Sequence, residues 1–138
     1  MRSLHIGLRA TDLQRSLTFH TALGYEVLGT VPETEFGSLT MIKLPGDEFV
    51  TIELLHDPDY GVIDPRRGLN HLVIQVESMH KTIADLTARD VHAEAPNSPD
   101  DSDDFWTSWT SDPDGSRIEL VQWPAGHPDG MTAADFDN

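Results

Sequence analysis

Two histidines and two glutamates recur at a single spacing along the chain. His71 follows His5 by 66 residues, and Glu119 follows Glu53 by the same 66 residues. Mixed imidazole and carboxylate donors suit zinc, nickel, cobalt or ferrous iron, whereas calcium and magnesium prefer shells of oxygen alone. Four protein ligands leave open positions on a five- or six-coordinate ion, which is typical of catalytic metals. The spacing therefore predicts one divalent transition metal bound by His5, Glu53, His71 and Glu119.

The stretches around these four residues are predicted to be strands with two different faces. Apolar side chains largely alternate with polar ones through His5 and through His71, a period of two that indicates strands. Glu53 lies in TIELL and Glu119 in RIELV, so each glutamate faces away from the isoleucine and leucine beside it. We therefore expect all four side chains to point toward a common concave face.

Each half of the chain repeats the same order of predicted elements. A first strand is followed by a helix, which begins at Thr11 with a capping box to Gln14 in one half and at Ser78 in the other. Gly24 ends the first helix as a capping glycine, and the second helix ends near Asp90. Further strands are predicted at 25–31, 38–44 and 49–55, and at 91–94, 105–111 and 116–122, with a turn at 112–115. The pattern predicts an α+β fold of two βαβββ modules at about 1–57 and 69–123, with a linker at 58–68 and a tail at 124–138.

Composition argues against several classes of partner. Nine basic and 24 acidic residues give a net charge of −15, which disfavours binding to nucleic acids and to anionic membrane surfaces. An anionic substrate would need a local cation, such as a metal ion or an arginine. The chain has no cysteine, no recognisable signal peptide and no long apolar run, so we expect a cytoplasmic protein without disulfides that acts on a small molecule.

The motifs around the four residues resemble those of bacterial glyoxalase I, a member of the vicinal oxygen chelate superfamily. The resemblance covers roughly residues 1–122 and is carried by MRSLHIGLRATDLQRSLTFHTALGYEVL, TIEL, GLNHLVI and DPDGSRIEL. It implies paired βαβββ modules that form a curved mixed sheet. It also implies a homodimer in which each site takes His5 and Glu53 from one chain and His71 and Glu119 from the other. Compact enzymes of this kind often use nickel or cobalt, with zinc as the alternative.

The resemblance also implies an activity, the metal-dependent conversion of a 2-oxoaldehyde thiohemiacetal to a 2-hydroxyacyl thioester through an enediolate. Glu119 is then the catalytic base, and Glu53 is its counterpart in the other module. Arg9 and Arg67 are expected to bind a substrate carboxylate. Trp109 is expected to line the pocket or to stack on a flat substrate.

Other members of the superfamily differ in their ligands. Epimerases typically have glutamine at the position of Glu53, and extradiol dioxygenases need only two histidines and one carboxylate. The present set therefore favours glyoxalase I. Two alternatives stay open: an isomerase or epimerase with a substrate that is not a glutathione conjugate, and a non-catalytic binding or resistance protein that holds a flat hydrophobic ligand between tryptophan residues.

Two acidic features depart from the glyoxalase I pattern. Asp57 stands where the family tends to have asparagine, four residues after Glu53. An acidic loop at 100–104 replaces a stretch that is usually basic or rich in glycine. Either feature, if it flanks the site, would repel the carboxylates of glutathione.

Overall fold

The computed structural model describes residues 4–67, 69–131 and 133–136, and these form two compact units. One unit comprises residues 4–67 with Asp112–Ser116, and the other comprises the described residues of 69–111 and 117–136. The elements of the first unit are β1 (Ile6–Arg9), α1 (Leu13–Leu23), β2 (Glu26–Thr34), β3 (Gly37–Lys43) and β4 (Ile52–His56). Those of the second are β5 (His71–Gln75), α2 (Met79–Ala88), β6 (Trp106–Ser111), β7 (Arg117–Gln122) and a short 3-10 helix (Ala133–Phe136). A few residues of the predicted modules, linker and tail lie outside the described part of the chain: 1–3, 68, 132, 137 and 138.

The first unit has a four-stranded mixed sheet in the order β1-β4-β3-β2. β1 runs parallel to β4, and the other two pairings are antiparallel. Ile42, Ile52 and Leu54 are fully or almost fully buried. Since side chains alternate between the faces of a strand, the burial of Ile52 and Leu54 leaves Glu53 on the opposite face of β4.

Helix α1 begins one residue later than the sequence predicts. Its N-cap is Asp12, whose carboxylate accepts a hydrogen bond from the backbone N–H of Arg15 at 2.9 Å. The expected cap at Thr11 is wrong because both polar groups of Thr11 serve other segments: its N–H donates to Asp114 and its hydroxyl accepts from the N–H of Ile63. The predicted end at Gly24 is confirmed, with a left-handed φ of 110° that a glycine adopts without steric cost.

The second unit has a three-stranded mixed sheet in the order β5-β7-β6. Its parallel pair has the same register as that of the first unit, because Ile6 pairs with Ile52 and Leu72 with Ile118, 46 residues apart in both cases. Helix α2 has the predicted N-cap at Ser78, which accepts from the N–H of Lys81. The observed elements confirm the predicted α+β class with mixed sheets.

One predicted strand, at 91–94, is wrong. The segment runs beside β6, where the N–H of Glu94 donates to the carbonyl of Trp109 and Asn97 forms a single bridge with Thr107. Two carbonyls of this segment accept hydrogen bonds from side chains of β6 and not from its backbone N–H groups. The hydroxyl of Ser108 donates to the carbonyl of Glu94, and that of Thr110 donates to the carbonyl of His92. These bonds make an irregular edge to β6.

Neither helix is suited to cross a membrane. The helices α1 and α2 have 11 and 10 residues, and within the described ranges no helix has the length and apolar character of a membrane span.

Candidate metal centre

The first unit brings His5 and Glu53 into direct contact. His5 immediately precedes β1, and the parallel pairing of Gly7 with Glu53 places His5 on the same face of the sheet as the glutamate. The Nε2 atom of His5 lies 3.2 Å from Oε1 of Glu53, and the two side chains are 35% and 23% exposed. The face expected from sequence alternation is therefore observed, and it presents one imidazole beside one carboxylate.

The second unit repeats this contact with His71 and Glu119. Their Nε2 and Oε2 atoms are 3.8 Å apart, and the side chains are 35% and 24% exposed. The amide oxygen of Asn70 lies 2.7 Å from Nδ1 of His71, where it can accept an Nδ1–H hydrogen bond. The other ring nitrogen, Nε2, is the atom that faces Glu119. A metal-binding histidine is commonly held in this way by a partner on its other nitrogen.

The two pairs suit coordination of a transition metal. Donors about 2.0–2.2 Å from one ion and about 90–110° apart are separated by about 3.0–3.5 Å. The first pair lies within that range, and the second exceeds it by a few tenths of an ångström. Within residues 4–67, 69–131 and 133–136, no group of three or more His, Asp or Glu side chains is close enough to hold an ion. Each unit thus supplies two donors, and the four-ligand set stays a prediction.

Arg9 lies on the ligand-bearing face of the first unit. Its Cζ atom is 4.0 Å from the ring centroid of Tyr60, a cation–π contact. Tyr60 is positioned by a turn in which the carboxylate of Asp57 accepts from the N–H of Asp59 and the carbonyl of Asp57 accepts from the N–H of Tyr60. Sequence reasoning missed Tyr60. The available signal was Asp-Pro-Asp directly after β4, a pattern that favours a turn and returns the chain toward the sheet.

Arg67 differs from Arg9 in its surroundings. Its side chain is 90% exposed, and its Nε atom lies 3.9 Å from a carboxylate oxygen of Asp64. A pair so exposed contributes little to stability. The predicted role of Arg67 in binding substrate stays a prediction.

Trp109 lies beside both predicted metal ligands of the second unit, His71 and Glu119. It pairs with Glu119 across β6 and β7, and its ring meets that of His71 edge-on at a centroid distance of 5.2 Å. The guanidinium of Arg117 covers one face of the indole, with Cζ 4.2 Å from the ring centroid. Sequence reasoning missed Arg117, although its position two residues before Glu119 places it on the same strand face.

The two tryptophans of β6 do not face each other. Trp106 pairs with Gln122 and contacts His80 of α2 at a centroid distance of 5.0 Å, whereas Trp109 pairs with Glu119 on the opposite face. A flat ligand therefore cannot lie between these two indoles of one chain.

Three of the acidic residues singled out in the sequence, Asp57, Asp100 and Asp104, accept hydrogen bonds through their carboxylates. Besides Asp57 in its turn, Asp100 accepts from Ser98 and Ser102, and these bonds lower the pKa of its carboxyl. Asp104 accepts from the N–H of Ala125, and its carbonyl accepts from Gln122. The acidic loop is thus attached to the segment that follows β7, and its influence on a substrate stays a prediction.

Comparison with known proteins identifies the superfamily of this chain. The Glyoxalase/Bleomycin resistance protein/Dioxygenase superfamily matches residues 2–120. The lactoylglutathione lyase of Salmonella typhimurium is 29% identical over 125 residues, which cover 88% of this chain and 93% of that protein. A probable lactoylglutathione lyase of Vibrio cholerae is 30% identical over 131 residues, which cover 91% and 94%. The solved structure of the trypanothione-dependent glyoxalase I of Leishmania major is 28% identical, with a TM-score of 0.72 and coverage of 88% of this chain and 86% of that one. These similarities confirm the expected vicinal oxygen chelate fold.

Proposed function

Because the chain belongs to the Glyoxalase/Bleomycin resistance protein/Dioxygenase superfamily, we propose that it is a metal-dependent lyase of the glyoxalase I type. Its substrate would be the thiohemiacetal of a 2-oxoaldehyde and a thiol, and its product a 2-hydroxyacyl thioester. The observation that carries the proposal is the contact of one histidine with one glutamate in each unit, at equivalent positions of the same register. The reaction class is supported by the two relatives, which are named lactoylglutathione lyase and probable lactoylglutathione lyase.

The proposed cofactor is one divalent transition metal, nickel or cobalt in preference to zinc, held by His5, Glu53, His71 and Glu119. When bound, the ion supplies Lewis-acid polarisation of the two adjacent oxygens of the substrate. Asn70 supports this role because its contact with Nδ1 of His71 orients the imidazole with Nε2 toward Glu119.

Glu119 is the proposed base. It would take the proton from the carbon that bears the hydroxyl and sulfur and return a proton to the neighbouring carbonyl carbon. The first carbon then becomes the thioester carbonyl and the second becomes an alcohol, so no external oxidant is needed. Glu119 lies between the buried Ile118 and Leu120 on an inner strand, which limits its movement. Trp109 pairs with it across β6 and β7 and lies beside it on the same face of the sheet.

We also propose a homodimer in which each site combines His5 and Glu53 of one chain with His71 and Glu119 of the other. Each unit supplies only half of the ligand set, so two units are needed for every site. Strand β2 supports an association because Val27, Leu28 and Val31 are exposed along it, and apolar surface of this kind favours cover by a partner.

The direct test is metal content together with turnover. The full chain would be purified after growth with nickel, cobalt or zinc, analysed for metal, and assayed for thioester formation from methylglyoxal and a panel of thiols. We expect about one ion per chain, loss of turnover on chelation and recovery on addition of nickel or cobalt. A protein that binds metal but converts none of the adducts would refute the lyase proposal, and a protein without metal affinity would refute the ligand assignment.

A further inference from the structure

We propose that Arg117 binds an anionic group of the substrate and thereby selects thiol adducts that carry a carboxylate. This inference rests on the lyase reaction proposed above. It adds a residue that sequence reasoning did not identify, on the strand that carries the proposed base.

The position of Arg117 places it among the ligands of the second unit. It pairs with His71 in the parallel register of β5 and β7, and it shares a strand face with Glu119 two residues away. Its guanidinium lies over Trp109, which itself contacts His71. A substrate oxygen close to the proposed metal would therefore lie on the face that presents this guanidinium.

The charge of Arg117 is available for a ligand. Its ion pair with Glu94 is long, 3.5 Å between Nη2 and Oε1, and the two side chains are 50% and 59% exposed. Such a pair is weak, and a guanidinium has five N–H donors, so a carboxylate can bind through two parallel hydrogen bonds. The indole below the guanidinium restricts its orientation.

Arg117 differs from the other basic residues of the second unit in that it lies on a strand of the sheet and not in a helix. The other basic residues of the second unit are Lys81 in α2, which pairs with Asp85 at 2.8 Å, and Arg89 at the end of the same helix. In the described strands β5, β6 and β7, Arg117 is therefore the one permanently cationic side chain. In a chain with a net charge of −15, a cation at this position matters for any anionic substrate.

Arg117 has no counterpart at the equivalent position of the first unit, so its presence does not follow from the internal repeat. The position equivalent to Arg9 in the second unit is Gln75. Its side-chain amide donates to Asp129 and accepts from the N–H of Gly130. The position equivalent to Arg117 in the first unit is Thr51, which bonds to Asp47. Each unit thus has one strand arginine over an aromatic ring, at positions that the repeat does not relate. We infer two separately placed anion contacts, with Arg117 serving the second unit.

The test compares a charged ligand with its neutralised form. Binding of S-methylglutathione and of its dimethyl ester would be measured by calorimetry on nickel-loaded full-length protein. We expect Arg117→Met to weaken binding of the acid about tenfold and to leave the ester within about twofold, which is the range for loss of one charge-assisted contact. Arg117→Lys should retain part of the preference, because it keeps the charge but not the planar pair of donors.

Arg89→Met is the matched control, since it removes the same charge from the end of α2, and it should bind both ligands as the wild type does. In turnover, Arg117→Met should raise KM for the glutathione adduct with little change in kcat. Equal binding of acid and ester by the wild type, no detectable binding of either, or an unchanged preference in Arg117→Met would overturn the inference. Metal content and wild-type turnover report separately on the proposed function, so failure of one can be told from failure of the other.

Discussion

The imidazole of His5 lies 3.2 Å from the carboxylate of Glu53, across two adjacent parallel strands. His71 and Glu119 repeat this relationship at 3.8 Å. In both units the two parallel strands pair residues that are 46 positions apart in the sequence. The same local geometry therefore presents the same two donors in each unit. This duplication makes the contribution of each half testable separately.

The first prediction distinguishes the two glutamates. Glutamine has the shape of glutamate without its charge, so Glu53→Gln and Glu119→Gln should each lower metal affinity at least about tenfold. With excess nickel restored, Glu53→Gln should recover part of its turnover, whereas Glu119→Gln should stay inactive because it has lost the base. Metal analysis after dialysis and a thioester assay check this, with Glu33→Gln on β2 as control. Unchanged metal affinity in both variants would contradict the ligand assignment.

The second prediction concerns sharing of the site between two chains. His5→Ala and His71→Ala should each be inactive alone. If every site takes one pair from each chain, a mixed dimer of the two variants contains one site with both histidines and one with neither. Random mixing should then restore about a quarter of the wild-type turnover. Sedimentation at micromolar concentration should show a dimer. A fully active, metal-loaded monomer, or mixing that restores nothing, would contradict the shared arrangement.

The third prediction concerns Asp57. A carboxylate about 6 Å from a substrate carboxylate costs roughly 1–3 kcal/mol at an effective dielectric of about 20–60. Asparagine can keep the turn, because its side-chain oxygen also accepts from the N–H of Asp59. We therefore expect Asp57→Asn to raise kcat/KM for the glutathione adduct about five- to tenfold, which corresponds to the lower part of that range. The dimethyl ester adduct should change little, and Asp59→Asn serves as the charge-matched control. Identical kinetics in the wild type and Asp57→Asn would show that Asp57 does not act on the substrate.

The fourth prediction is a pH dependence of stability that arises at His20. This imidazole is fully buried between Phe19 and Tyr25, its Nδ1 bonds to the carbonyl of Ser16, and its Nε2 has no protein partner among the described residues. Burial lowers the pKa of His20 below its ordinary value of 6.5, an effect that exceeds the opposing one of the bond to Ser16.

The folded protein then binds fewer protons at this site than the unfolded chain does. The stabilising contribution is complete above pH 6.5 and is lost as the pH falls below that value, by at most about 1.4 kcal/mol per pH unit. Denaturant unfolding between pH 7 and about pH 5 should show this slope in the wild type and not in His20→Phe. His92→Phe, at an exposed position, should keep it. His127 acts in the opposite direction, since its bond to Asp135 raises its pKa, so the comparison of variants isolates His20.

The fifth prediction concerns Gly37, where β3 begins. It has a φ of 93°, and a Cβ atom there would lie 2.3 Å from the carbonyl oxygen of His56 and 3.0 Å from Cα of Asp57. Gly37→Ala should therefore destabilise the protein by more than about 2 kcal/mol, through backbone strain and the clash together. Gly29→Ala on β2 meets no atom within 4 Å and should change stability little. Thermal unfolding of both variants checks the difference. Equal stability would show that the backbone at Gly37 and His56 shifts to accommodate the added methyl group.

The sequence pattern was sufficient to predict strand faces and two helix caps, because these features depend on residues that are close together in the chain. Alternation in TIELL and RIELV placed Glu53 and Glu119 opposite buried isoleucine and leucine, because side chains of a strand must alternate between its faces. Ser78 and Gly24 were identified as caps because each acts within its own helix.

Contacts between distant segments decided the rest. Thr11 is not a cap because its polar groups bond to residues 52 and 103 positions away, which no local motif encodes. The segment at 91–94 is not a strand because hydroxyls of β6 take its carbonyls. The contacts of the two strand arginines also depend on long-range structure, since a turn brings Tyr60 under Arg9 and strand register brings Trp109 under Arg117. The sequence by itself determined which residue types face the site, since that follows from local periodicity. Only the tertiary structure determined what surrounds them, since long-range hydrogen bonds and ring contacts depend on how separate strands are aligned.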